Sequence, residues 1–152
     1  MKKTKILAVF VTFFLVAVFF PKVGCVSVHK NISESLPHTY FLGVFKGKEF
    51  KKGQFVKFNH SLSSIPLVKK VIGLAGDEVL VEGKKVLVNG DFVGEVLDFS
   101  PSGMPLSPIE GGVIPDGHMF VMAYHAMSFD SRYQEFGLVP YSCIEEVLWP
   151  IY

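Results

Sequence analysis

The stretch Leu67-Val68-Lys69-Lys70-Val71-Ile72-Gly73-Leu74-Ala75-Gly76-Asp77-Glu78-Val79 decides how this chain is read. Its apolar, β-branched run predicts a buried strand, broken at Gly73 and again at Gly76-Asp77. Two lysines stand inside that run. Successive side chains of a strand point to opposite faces, so Lys69 and Lys70 cannot share one environment. One is expected in solvent and the other in the core. Burial disfavours an ammonium, so the inward lysine has a depressed pKa and can act as a general base. The residues alone leave open which lysine that is. A base of this kind needs a nucleophile from elsewhere in the chain.

Outward from this stretch the pattern stays β. Val79-Leu80-Val81 and Val86-Leu87-Val88 flank the turn Glu82-Gly83-Lys84-Lys85, and Asn89-Gly90 is the strongest short hairpin signal. Upstream, Phe41–Phe45 and Gln54–Asn59 read as strands, while His29–Tyr40 reads as polar and turn-rich. Lys46–Gly53 reads as a basic, solvated loop. Downstream, Asp98–Gly112 contains Pro101, Pro105 and Pro108 and reads as a loop, long enough to suggest a functional flap. His118–Tyr124 reads as an apolar strand, and Ala126–Gly137 as polar and irregular. Little helical periodicity appears beyond the N-terminus, so the expected fold is mainly β.

The chain has 152 residues, room for one domain and its appendages. A net charge of +1 gives no reason to propose a nucleic-acid partner. Cys25 and Cys143 are too few for a disulfide scaffold and lack metal-site spacing, although a single bridge between them is open in an oxidising compartment. The five histidines are scattered without metal or triad spacing and read as ordinary surface or core residues. No cofactor and no metal are expected.

The mean hydropathy of +0.38 is high for a soluble protein, and the excess sits at the N-terminus. Met1-Lys2-Lys3-Thr4-Lys5 is a basic cap, Ile6–Phe20 is apolar apart from Thr12, and Pro21-Lys22 ends the run. A cleaved signal peptide, a lipoprotein signal at Cys25 and a retained anchor compete here. No small-x-small cleavage site closes the run, and Lys22 stands where a lipobox wants an aliphatic residue. A retained anchor is therefore expected. The segment is short for a span, but Lys5 and Lys22 can snorkel. The reading divides the chain into residues 1–22, a cytoplasmic cap and transmembrane helix, and residues 23–152, an exported domain.

Ser33-Glu34-Ser35-Leu36-Pro37 taken alone is an ordinary turn. A serine nucleophile needs a base, and a Ser–Lys dyad is the route this chain leaves available. At this point three segments, in order, resemble the boxes of the signal peptidase I family of membrane-bound Ser–Lys peptidases. They are Asn31–Pro37, Lys69–Asp77 and Ser128–Tyr133. The resemblance implies a compact signal-peptidase-like β domain of coiled antiparallel sheets, preceded by one N-terminal transmembrane helix. It implies Ser35 as nucleophile and Lys69 as general base, with Lys70 the neighbouring basic residue. It implies that the Ser33 hydroxyl and the Ser35 backbone N–H form the oxyanion hole. Ser128 would orient the base, and Asp130 and Arg132 would form an ion pair holding the last box in place.

The departures from the family pattern narrow the resemblance. Leu36 follows the nucleophile where Met is usual, and Ala75 replaces a common Pro. Met122–Met127 lacks the usual Gly-Asp-Asn run, and Asn89–Val113 is too short for the second β-domain of many relatives. A compact domain with one anchor is most similar to the TraF-type branch. That implies processing of a conjugative pilin precursor by cleavage, or by cyclisation through the acyl-enzyme. The implied partners are an extended segment of a membrane-inserted pilin or preprotein and the lipid bilayer. The implied location is the bacterial inner membrane, single-pass, with the catalytic domain on the periplasmic side. Rival readings are a housekeeping signal peptidase acting on many preproteins and a non-catalytic anchored β-domain scaffold.

Overall fold

The computed structural model describes residues 26–30, 36–45 and 49–151. The expected anchor, Cys25 and the Asn31–Ser35 segment lie outside the described residues. Within them the chain is mainly β. The strands are β1 Val26–Lys30, β2 Tyr40–Phe45, β3 Phe55–Phe58, β4 Leu67–Leu74, β5 Glu78–Glu82, β6 Lys85–Val88, β7 Asp91–Glu95, β8 Gly112–Val113, β9 His118–Met122, β10 Val139–Pro140 and β11 Ile144–Pro150. No helix among the described residues is long and apolar enough to cross a membrane.

The strands pair antiparallel into two sheets, ordered β1-β2-β11-β3-β4-β9-β10 and β7-β6-β5-β8. Strand β4 lies deep in the larger sheet, between β3 and β9. Alternation along it sends Lys69 and Val71 toward the main core and Val68 and Lys70 the other way. Val71 is fully buried with Val56, Phe58 and Val121 against Val79, Val86 and Val88 of the smaller sheet. Burying one such valine stabilises the fold by about 1.5–3 kcal/mol. On the opposite face Leu36, Phe41, Phe55, Ala123 and Leu148 form a second cluster, with Val68 against it.

The turn after β4 joins the two sheets. Gly76 adopts φ +87°, a conformation that favours glycine. The Asp77 carboxylate accepts hydrogen bonds from the Leu74 N–H at 2.8 Å, Asn89 Nδ2 at 2.6 Å and Lys52 Nζ at 3.0 Å. Asn89 and Gly90 both have positive φ and close the β6–β7 hairpin at Val88↔Asp91, as the Asn-Gly signal predicts.

Two local expectations change. The strand does not break at Gly73. β4 runs on to Leu74, and its ladder to β9 slips between Val71 and Gly73. A Cβ at Gly73 would lie 2.7 Å from Ile114 Cδ1, so this glycine serves the close approach of neighbouring chain, not a turn. His29 and Lys30 are not loop but the end of β1, which pairs along β2 from Val26↔Val44 to Lys30↔Tyr40. The tail supplies β11, which inserts between β2 and β3. Within the Asp98–Gly112 loop Phe99 bridges Pro105, and the loop's second half is tied to the Ser128–Tyr133 segment by the bridge Pro108↔Tyr133 and by Ile109 N–H to Arg132 O at 2.9 Å.

Candidate active site

The alternation of β4 and its register with β3, Val56↔Lys69, put the Lys69 side chain into the interior, 6 % exposed. No ion pair or hydrogen bond joins it to another described side chain. The Phe136 ring lies beside it, 6.0 Å from centroid to Nζ. Burial pushes the Lys69 pKa below its ordinary value of 10.5; Asp130 acts against that shift and Arg132 adds to it. This lysine is the buried amine that a strand with two adjacent lysines requires.

Lys70 points to the other face. Its Nζ donates to the Tyr124 hydroxyl at 2.6 Å and sits 4.9 Å from the centroid of that ring. The two lysines therefore have separate surroundings, and only Lys69 lies with the Ser128–Arg132 segment.

A cavity of about 500 Å³ opens beside Lys69, lined among others by His60, Leu67, Ser128, Phe129 and Phe136. No residue of the Asp98–Gly112 loop lines it. Ser128 is buried, and its Oγ has no hydrogen-bond partner among the described residues. An unpaired buried hydroxyl is costly, and such groups mark sites where a polar atom has other work.

The Ser128–Tyr133 segment is irregular yet tightly held. Asp130 and Arg132 are both buried, and Arg132 Nε donates to Asp130 Oδ1 at 2.8 Å while Nη2 donates to Oδ2 at 3.1 Å. Arg132 also donates to the carbonyls of Ser128 at 2.9 Å, Ala126 at 3.3 Å and Glu95 at 3.3 Å. Asp130 Oδ2 accepts from the Ala123 N–H at 3.2 Å, and Ser131 exchanges hydrogen bonds with Val121. The pair thus ties this segment to the end of β9 and to β7, and so sets where Ser128 stands relative to β4. A lone buried ion would be expensive; the bidentate pair and its carbonyl partners offset that cost.

The structure thus brings Lys69, Ser128, Asp130 and Arg132 together and sends Lys70 away. Ser33 and Ser35 fall outside the described residues, but Leu36, next in the chain, is buried with Phe55 and Ala123. Cys143 carries a free, exposed thiol.

Sequence reasoning missed two groups. Phe136 and His60 flank Lys69 from distant parts of the chain, and no spacing announces them. A second polar cluster joins Ser27, His29, Lys57 and Glu146: His29 Nε2 lies 2.8 Å and Lys57 Nζ 3.0 Å from the Glu146 carboxylate, to which the Ser27 hydroxyl also donates. Burial pushes the Glu146 carboxyl up, but these bonds outweigh it and hold it at about 2. Gly43 makes the room, since a Cβ there would overlap the Glu146 carboxylate. The alternation of Ser27 and His29 was the available signal for this cluster.

Known proteins extend the picture. The chain is similar to the conjugal transfer protein TraF of Agrobacterium fabrum, 32% identical over 88 residues that cover 57% of this chain and 49% of the relative. It is similar to the probable conjugal transfer protein TraF of Sinorhizobium fredii, 38% identical over 77 residues, covering 49% and 39%. The chain spans about half the length or less of the curated relatives it matches. Among solved structures it resembles a signal peptidase I from Enterococcus faecalis V583, with 22% identity and a TM-score of 0.46, over 68% of this chain and 100% of that one. The sequence model of the family described as signal peptidase, peptidase S26, matches residues 1–147, and the chain belongs to that family.

Proposed function

We propose that this chain is a membrane-anchored serine endopeptidase with a Ser35–Lys69 dyad, acting on an exported precursor, specifically a conjugative pilin precursor. The observation that carries the reading is the buried Lys69 amine, displaced from its ordinary pKa by desolvation and lining one cavity with the buried Ser128. Membership of the signal peptidase family supports the reaction class. The similarity to two conjugal transfer proteins supports a role in conjugal transfer.

The chemistry follows from the groups. Neutral Lys69 removes the Ser35 proton as Ser35 Oγ attacks a substrate carbonyl. The Ser35 N–H and the Ser33 hydroxyl receive the oxyanion. The C–N bond breaks, and the Lys69 ammonium returns its proton to the leaving amine. The resulting ester is released by water, or by the amine at the substrate's own other end, which gives a cyclic product. Ser128, on the wall of the same cavity, orients the Lys69 amine when its unpaired Oγ takes that amine as partner during the reaction, and the Asp130–Arg132 pair keeps Ser128 in place. A free edge supports the mode of substrate binding. The β4–β9 ladder reaches only Lys70↔Met122, so Leu67–Lys69 has no partner on that side among the described strands. An extended precursor segment can pair there. The anchor, in residues 1–22, holds the domain on the periplasmic side of the inner membrane, where such a precursor is presented.

The test is co-expression with the cognate pilin precursor. Ser35→Ala and Lys69→Ala should each leave the precursor unprocessed, while Lys70→Ala should process it. Full processing by Ser35→Ala or Lys69→Ala sinks the dyad. The intact product mass separates hydrolysis (chain plus water) from cyclisation.

A further inference from the structure

The Lys69 amine is not shielded by its own strand alone. Phe136, 6 % exposed, is the ring beside it. That ring is gripped by three others: Phe58 and Phe129 meet it edge-on, with centroids 6.5 and 5.5 Å away, and His60 lies flat on it at 4.2 Å, with planes 6° apart. His60 is the more exposed of the stacked pair. It is also pinned at both nitrogens. A carbonyl can only accept, so the 3.2 Å contact between His60 Nε2 and Phe136 O is a donation from Nε2–H. The Leu62 N–H donates to Nδ1 at 3.2 Å. Together these bonds fasten the ring to the Phe136 backbone while its face covers the Phe136 side chain.

We propose that His60 is a positioning residue for Lys69: by clamping Phe136 through both its backbone and its ring, it keeps water away from the Lys69 amine. The inference rests on Lys69 being the base of the proposed peptidase. Four groups face Lys69 and its cavity. Asp130 and Arg132 come from the last box, His60 from the loop after β3, and His125 from the turn after β9. Asp130 and Arg132 act on the amine with opposite sign. Desolvation is the largest influence on the amine, and Phe136 belongs to the apolar wall that supplies it, with the partly exposed His60 the only one of its three ring neighbours that also bonds its backbone among the described residues. Nothing in the scattered histidines suggested the role, because His60 and Phe136 meet across 76 positions.

The proposal is tested by reading Lys69 directly. The full chain in detergent micelles carries lysine labelled with 13C at Cε, and the Lys69 resonance is identified by its loss in Lys69→Arg. In His60→Ala the Lys69 titration midpoint should move up, toward the ordinary lysine range. In His60→Phe, which restores an aromatic face, most of that movement should be reversed. The pH profile of precursor cleavage should follow: His60→Ala should lose about tenfold in kcat/KM at neutral pH yet stay within about two-fold of wild type on the alkaline plateau. A merely structural role would lower the whole profile without moving its acid limb. Equal Lys69 midpoints in folded wild type and folded His60→Ala overturn the proposal. If His60→Ala does not fold, His60→Gln, which keeps a donor for the Phe136 carbonyl but has no ring, is read in the same way. The titration needs no turnover. Full activity in Lys69→Ala would therefore sink the dyad, while an unmoved midpoint would sink only the role of His60.

Discussion

Replacing Lys69 by methionine should abolish precursor cleavage and at the same time stabilise the domain. Lys69 is 6 % exposed and lies beside the Phe136 ring, with no ion pair to a described residue. A buried polar group without adequate partners costs about 1–3 kcal/mol. Methionine has a similar length and adapts to irregular apolar space, so it fills the site without that cost. A gain of about 2 kcal/mol corresponds to a Tm rise of roughly 6–10 °C for a domain of this size. Linkage adds a sharper signature. Burial lowers the Lys69 pKa from 10.5. Below the folded value the cost of burying this lysine is fully present. Between the folded value and 10.5 the unfolded chain binds a proton that the native state does not, so the wild type gains stability as pH rises. Above 10.5 both states are neutral and that contribution disappears. The advantage of Lys69→Met should therefore be larger at neutral pH than at pH 10.5 and shrink as pH rises between them. Thermal and urea melts followed by circular dichroism at several pH values measure it, with Lys70→Met as the control expected within about 0.5 kcal/mol of wild type. A lower Tm for Lys69→Met at neutral pH, or an advantage that does not shrink at alkaline pH, would refute the reasoning.

Three further outcomes are expected. Asp130→Ala leaves the buried Arg132 guanidinium without its carboxylate and should cost about 3–5 kcal/mol, seen as a drop in urea midpoint. Glu146, held at about 2 against an ordinary 4.5, contributes stability that is present above pH 4.5 and lost as pH falls toward 2. That contribution is about 3 kcal/mol; Glu146→Gln should lose most of it at neutral pH and show a flatter acid limb in melts between those pH values. Gly73→Ala places a methyl 2.7 Å from Ile114 Cδ1, 3.2 Å from Val88 Cγ1 and 3.3 Å from Phe120 Cβ. It should lower stability by about 1–3 kcal/mol, and an unchanged Tm would show that Ile114 yields freely.

Much of the candidate site is legible in the residues because its logic is local. Alternation requires Lys69 and Lys70 to part, whatever the rest of the chain does. The Asn89-Gly90 turn, with both residues at positive φ, is likewise a local preference. The Asp130–Arg132 pair, by contrast, is expected only from the resemblance to the family, since two residues of opposite charge two positions apart do not by themselves announce a buried pair. Gly73 misleads for the opposite reason. In sequence a glycine in a strand reads as a break, whereas here it answers a close approach from Ile114, 41 positions away. Strand β1 was hidden because Ser27, His29 and Lys30 look like loop residues; their places are set by pairing with β2 and by the Glu146 carboxylate.

The sequence by itself determined that the fold is mainly β and that one of two adjacent lysines must be buried. It also determined that the chemistry-bearing segments follow one another in a family order. The first two conclusions rest on periodicity, turn chemistry and residue type, which act within a few positions; the third rests on the resemblance to the family. The tertiary structure made the inward lysine Lys69 on physical grounds, where the resemblance alone had chosen it, through the register Val56↔Lys69 and the two faces that register commits. It alone placed the C-terminal strand β11 between β2 and β3, and laid His60 and Phe136 together beside the amine. Register and sheet order depend on which apolar faces can be buried together, a property of the whole packed chain and not of any short stretch of it.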